Sequence, residues 1–140
     1  MLRLSSCYPG NHPMDYEHMG QDCKDVLVVD DDHYLCELIV DVLEAEGHMA
    51  RTAMNGEEAL ELVRERKPEL ILLDLMMPVM NGWEVAAALK ANPEWSDIPV
   101  VLVTASHDGE SKRAATGAKA IISKPFDIDH LCEVVSTCAA

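Results

Sequence analysis

Short continuous apolar runs alternate along the chain with stretches in which apolar positions recur every three or four residues. Val26-Leu27-Val28-Val29 is an unbroken, β-branched-rich run, the mark of a strand covered on both faces. Beyond it Leu35, Leu38, Ile39, Val42 and Leu43 recur at helical spacing, and Gly47 is suited to end that helix. A short strand is expected from Met49 to Ala53. Asn55, with Glu58 three residues on, gives a capping-box-like start to a second helix presenting Ala59, Leu60 and Val63 and stopping before Pro68. Leu70 to Leu73 reads as the third strand, and Val85, Ala86 and Leu89 mark a helix that Pro93 terminates. A fourth strand spans Val100 to Val103, followed by a short helix from Glu110 to Thr116 before Gly117. Ala120 to Ser123 is the fifth strand, and Asp127 can cap a last helix carrying Leu131, Val134 and Val135.

Five βα units in succession imply an α/β fold, a parallel sheet wound on both faces by helices through right-handed crossovers. In such sheets ligands bind beyond the C-terminal ends of the strands, where the strand order reverses. Residues 1–24 lack periodicity and read as a loose N-terminal arm, in which Met14 and Met19 are further plausible starts; residues 25–140 read as one domain.

Composition narrows the function. The net charge is −14, and the arm accounts for only −1 of it, so the acidity belongs to the domain and argues against binding nucleic acid or anionic membrane. No stretch approaches the roughly 20 apolar residues that span a bilayer. Leu4-Ser5-Ser6-Cys7 resembles a lipoprotein cleavage box but lacks the apolar run before it. Five cysteines form no C-x-x-C pair and no zinc spacing; Cys36 and Cys132 fall in helical patterns, where buried free thiols are expected. The odd count suits a reducing compartment, and the chain is expected to be cytoplasmic. His33, His48, His107 and His130 fall in different elements and read as surface or cap residues rather than ligands.

The informative residues stand at the strand ends. Strand one runs into Asp30-Asp31-Asp32, strand three into Asp74, strand four into Thr104 and strand five into Lys124-Pro125. Asp32 is well placed to cap the first helix. Asp74 closes an apolar run, so its charged form needs a compensating partner, and carboxylates crowded at one mouth raise one another's pKa unless a cation holds them. Lys124 is one such cation, and a hard divalent ion such as Mg²⁺ among Asp30, Asp31 and Asp74 is the natural second. A site of this kind suits phosphoryl transfer to a carboxylate, with metal, ammonium and a threonine hydroxyl neutralising the phosphoryl oxygens.

Residues 25–137 resemble the receiver domain of two-component response regulators, as stand-alone chemotaxis-type regulators carry it. The resemblance rests on Val26-Leu27-Val28-Val29-Asp30-Asp31, Leu72-Leu73-Asp74-Leu75-Met76-Met77-Pro78 with Asn81-Gly82, Val103-Thr104-Ala105, and Ser123-Lys124-Pro125-Phe126. It implies a flavodoxin-like (βα)5 fold with strand order 2-1-3-4-5. It implies Asp74 as phospho-acceptor, Mg²⁺ held by Asp30, Asp31, Asp74 and the main-chain carbonyl of Met76, and Thr104 and Lys124 on the phosphoryl group. The implied donor is a sensor histidine kinase or phosphotransfer protein, and the implied output is docking to a further protein through helix four, strand five and helix five.

The pattern departs from the family in three places. Ile121 stands where many receivers carry Tyr or Phe, the segment from Thr104 to Lys124 is short, and Met76 and Ser106 occupy positions that tune loss of the phosphoryl group. Neither Met76 nor Ser106 is an acid or amide able to position water well, which predicts slow loss of label from purified phosphoprotein. The chain ends just past the last helix, so no output domain is expected on it. Two alternatives stand beside this reading. One is a degenerate receiver that binds partners without phosphorylation. The other is an aspartate-nucleophile phosphatase, which would need an acid where Met76 stands.

Overall fold

A computed structural model describes residues 23–105 and 109–139. The arm read over residues 1–24 therefore falls outside the described residues except for Cys23 and Lys24, as do Ser106 and His107. Five strands, β1 (Asp25–Val29), β2 (Met49–Ala53), β3 (Leu70–Leu73), β4 (Val100–Thr104) and β5 (Ala120–Ser123), alternate with five helices. The helices are α1 (His33–Ala45), α2 (Gly56–Glu65), α3 (Gly82–Ala91), α4 (Gly109–Thr116) and α5 (Ile128–Cys138). The strands form one parallel sheet in the order β2-β1-β3-β4-β5.

Strand alternation sorts the apolar side chains onto two faces, because successive residues point opposite ways. Leu27, Val29, Ile71, Leu73 and Leu102 pack with Ala59 and Val63 of α2 and Val85, Ala86 and Leu89 of α3. Val26, Val28, Leu70, Leu72, Val101, Val103 and Ile122 pack with Cys36, Ile39 and Leu43 of α1 and Leu131 and Val135 of α5. The uninterrupted apolar runs are thus strands sandwiched between two helical layers. α4 is the least anchored helix: Thr116 is its one buried residue.

The termini carry the expected caps, with differences. Asp32 accepts from the Leu35 N–H and Asp127 from the Asp129 N–H. Gly47, at φ +92°, lets the His48 N–H reach back to the Leu43 carbonyl and close α1. Asn55 caps α2, but Glu58 accepts from the Met54 N–H rather than from Asn55. The reciprocal capping box belongs to α3, between Asn81 and Glu84.

Two expectations about burial need correcting. His48 is buried, because it follows the α1 turn into β2, and its Nδ1 accepts the Lys24 N–H at 3.1 Å. Cys132 is only half-buried; it is a free thiol with Cys36 and Cys138, whereas Cys23 is disulfide-bonded. Among the described residues no helix is long and apolar enough to cross a membrane.

Candidate functional site

The sheet register brings the strand ends together. Val29 pairs with Leu73, and the Asp74 N–H extends that ladder to the Val29 carbonyl at 2.9 Å, so Asp30 and Asp74 leave adjacent strands side by side. This is where the strand order reverses, between β1 and β3. One carboxylate oxygen from each of Asp30, Asp31 and Asp74 lies within 4.8 Å of the others. Asp30 and Asp74 are buried and Asp31 is exposed, which leaves the cluster open to solvent on one side.

β5 delivers the cation. Lys124 Nζ lies 2.8 Å from Asp30 Oδ2 and 3.9 Å from Asp74 Oδ1. Its main-chain N–H donates to the Thr104 carbonyl at 2.9 Å, and Thr104, buried at the end of β4, pairs with Ser123. The next peptide, Lys124–Pro125, is cis. The Met76 N–H donates to Asp74 Oδ1 at 3.3 Å while the Met76 side chain stands in solvent. Asp30, Asp31, Asp74 and Lys124 are therefore gathered into one cluster; Thr104 touches it through its carbonyl on the Lys124 main chain, and Met76 through its N–H on Asp74. Asp32 stands apart, serving α1 as its cap.

The electrostatics follow from this crowding. Burial, then the charge of Asp30, pushes the Asp74 carboxyl up to about 6; Lys124 and the Met76 N–H pull against that rise. Burial works to lower the Lys124 pKa, but its hydrogen bond to Asp30 and the charges of Asp30, Asp74 and Asp32 outweigh it and hold the ammonium above its usual value. One lysine does not balance the three carboxylates. Hard oxygen donors this close suit a divalent cation such as Mg²⁺, and Asp30, Asp31 and Asp74 could hold one.

Several supports of the site were not read from the sequence. A Cβ on Gly82 would stand 2.3 Å from the Asp74 carbonyl oxygen and 2.7 Å from Leu75 Cα. Only glycine lets α3 start this close to the acceptor strand. The Gly56 N–H donates to the Met80 carbonyl at 2.9 Å, pinning the β3–α3 loop to the start of α2. Within that loop Val79 sits at φ +67°, a conformation that costs a β-branched residue about 1–2 kcal/mol. The Asn81-to-Glu84 spacing was a legible signal; the close approach at Gly82 left none beyond the glycine itself. Cys36 also belongs here: its thiol donates to the Asp30 carbonyl at 3.3 Å, and burial, then Asp30, raises its pKa to about 11, so it stays protonated.

Comparison with known proteins bears on the family and the fold. The response regulator receiver domain family matches residues 26–136. The polar-differentiation response regulator DivK of Brucella anthropi is 38% identical over 116 residues, 81% of this chain and 94% of its own. Among solved structures, the chemotaxis response regulator CheY4 of Vibrio cholerae superposes with a TM-score of 0.77 at 28% identity, over 83% of this chain and 98% of that one. The receiver domain of NtrX from Brucella abortus gives a TM-score of 0.75 at 31% identity, over 82% and 98%.

Proposed function

The chain belongs to the response regulator receiver domain family of two-component signalling, and from that premise we propose that it accepts a phosphoryl group on Asp74 and signals by protein docking or onward relay. The observation that carries this reading is the convergence of Asp30, Asp31 and Asp74 within 4.8 Å, with Lys124 between Asp30 and Asp74. The donor is a phosphohistidine on a sensor kinase or phosphotransfer protein in the cytoplasm, and the acceptor is not a turnover enzyme.

Asp30, Asp31, Asp74 and the Met76 main-chain carbonyl would hold Mg²⁺, which would supply positive charge to the phosphoryl oxygens. Asp74 attacks phosphorus through a carboxylate oxygen; the O–P bond forms as the donor's N–P bond breaks, and the electron pair returns to the imidazole nitrogen. The Met76 N–H fixes the orientation of the attacking carboxylate. Lys124, already facing both Asp30 and Asp74, turns its ammonium to the incoming phosphoryl oxygens, and Thr104 offers its hydroxyl from the end of β4. Attack needs the ionised carboxylate; burial and Asp30 raise the Asp74 pKa to about 6 in the metal-free protein, and bound Mg²⁺ would favour the ionised form.

Intact-protein mass after incubation with a small phosphodonor tests this. The wild type is expected to gain one phosphoryl group with Mg²⁺, and to gain none without metal or as Asp74→Asn. A folded wild type that takes up no phosphoryl group would turn the reading to a docking module that works without phosphorylation.

A further inference from the structure

The β1–α1 loop must hold three consecutive acids, Asp30-Asp31-Asp32, in one arrangement although they repel one another. Four contacts converge on Asp30. Its N–H donates to the Ala53 carbonyl at 3.1 Å, and its Oδ1 accepts the Asp32 N–H at 2.9 Å. Its Oδ2 takes Lys124 at 2.8 Å. Its carbonyl, on a residue only 3% exposed, accepts the Cys36 thiol at 3.3 Å.

The last contact is unlike the others. It comes from the second turn of α1, whose own ladder begins one step later, with the Cys36 N–H on the Asp32 carbonyl. The Asp30 carbonyl therefore lies outside the helix ladder, and the Cys36 thiol is the donor that meets it. A buried carbonyl left without a donor costs more than the bond itself is worth. Cys36 is buried too, in the layer between the sheet and α1, so its thiol is held against that carbonyl.

We infer that Cys36 is a positioning residue for the acceptor site: its thiol fixes the Asp30 main chain, and through it the Asp30 carboxylate that meets Lys124 and the metal. This rests on the proposed function for the metal and not for the positioning itself. It makes no claim that the thiol reacts, since it neither touches Asp74 nor opens freely to solvent.

The test compares Cys36→Ala and Cys36→Val, which remove the donor, with Cys36→Ser, which restores a hydroxyl donor. Ile39→Val, one turn further along α1 and equally buried, controls for a merely looser helix. Without metal, hydrogen exchange of the Asp32 amide, which reports the Asp30 carboxylate, should quicken about fivefold to tenfold in Cys36→Ala and Cys36→Val. It should stay near the wild type in Cys36→Ser and Ile39→Val. The Mg²⁺ dissociation constant, by calorimetry on the full chain, should weaken by about the same factor in the same two variants.

Unchanged Asp32 exchange in Cys36→Ala and Cys36→Val would overturn the inference. So would Cys36→Ser or Ile39→Val behaving like Cys36→Ala. A wild type that binds no Mg²⁺ would strike at the proposed function instead, while the metal-free exchange would still decide the role of Cys36.

Discussion

The two ends of the sheet handle charge in opposite ways. At the N-terminal end Asp25 meets two guanidinium groups, Arg66 Nε at 2.8 Å and Arg51 at 3.3 Å. Arg51 also donates to the Leu62 and Arg66 carbonyls at 2.9 and 2.8 Å, tying the end of α2 to β2. At the C-terminal end three carboxylates cluster and one ammonium reaches two of them, Asp30 and Asp74. The first arrangement is complete in itself and holds the scaffold together. The second keeps an excess of negative charge that folding alone does not relieve, and it is where a cation and a phosphoryl group would enter.

This contrast can be broken in steps. Gly82→Ala should have the largest effect, because the new Cβ meets main-chain atoms of Asp74 and Leu75 that cannot move aside. A loss of about 3 kcal/mol in denaturant unfolding is expected, with phosphoryl uptake lost as well. An alanine variant as stable as the wild type would mean that the approach of α3 to the acceptor strand is looser than described.

Arg51→Ala should come next, at about 2 kcal/mol, since it strips Asp25 of one partner and frees two carbonyls. Mg²⁺ affinity should not change. A drop in Mg²⁺ affinity would show that the two ends are not independent.

The smallest effect has the opposite sign. A carboxyl whose pKa is raised on folding contributes fully below its unfolded value, near 3.8, and that contribution is lost as pH rises through about 6. Metal-free wild type should therefore weaken relative to Asp74→Asn between about pH 4 and about pH 6. The variant should be the more stable by about 1 kcal/mol at neutral pH, part of the effect being screened by solvent. Added Mg²⁺ should raise the wild-type melting temperature far more than that of Asp74→Asn. Equal melting temperatures across the whole pH range would show that the acidic mouth is already balanced.

Sequence by itself determined what depends on near neighbours. The apolar runs placed the five strands to within a residue, and the helical periodicities located the five helices between and after them; β4 extends through Thr104, α4 starts at Gly109, and α3 starts at Gly82, three residues before the first apolar position that marked it. Local side-chain chemistry likewise gave the caps at Asp32, Asn55 and Asp127. The gathering of Asp30, Asp74 and Lys124 was legible because a parallel sheet puts every strand's C-terminal end on one edge. What only the tertiary structure decided depends on register and distance between remote segments. Lys124 rests on Asp30, with Asp74 more than an ångström farther off, because the β4–β5 register sets where the lysine stem begins. Gly82 is needed because α3 starts against the Asp74 carbonyl, His48 is buried because β1 enters beside it, and Cys36 faces Asp30 because α1 packs tightly on the sheet. Such contacts join residues whose spacing along the chain says nothing about their separation in space; packing alone brings them within bonding distance.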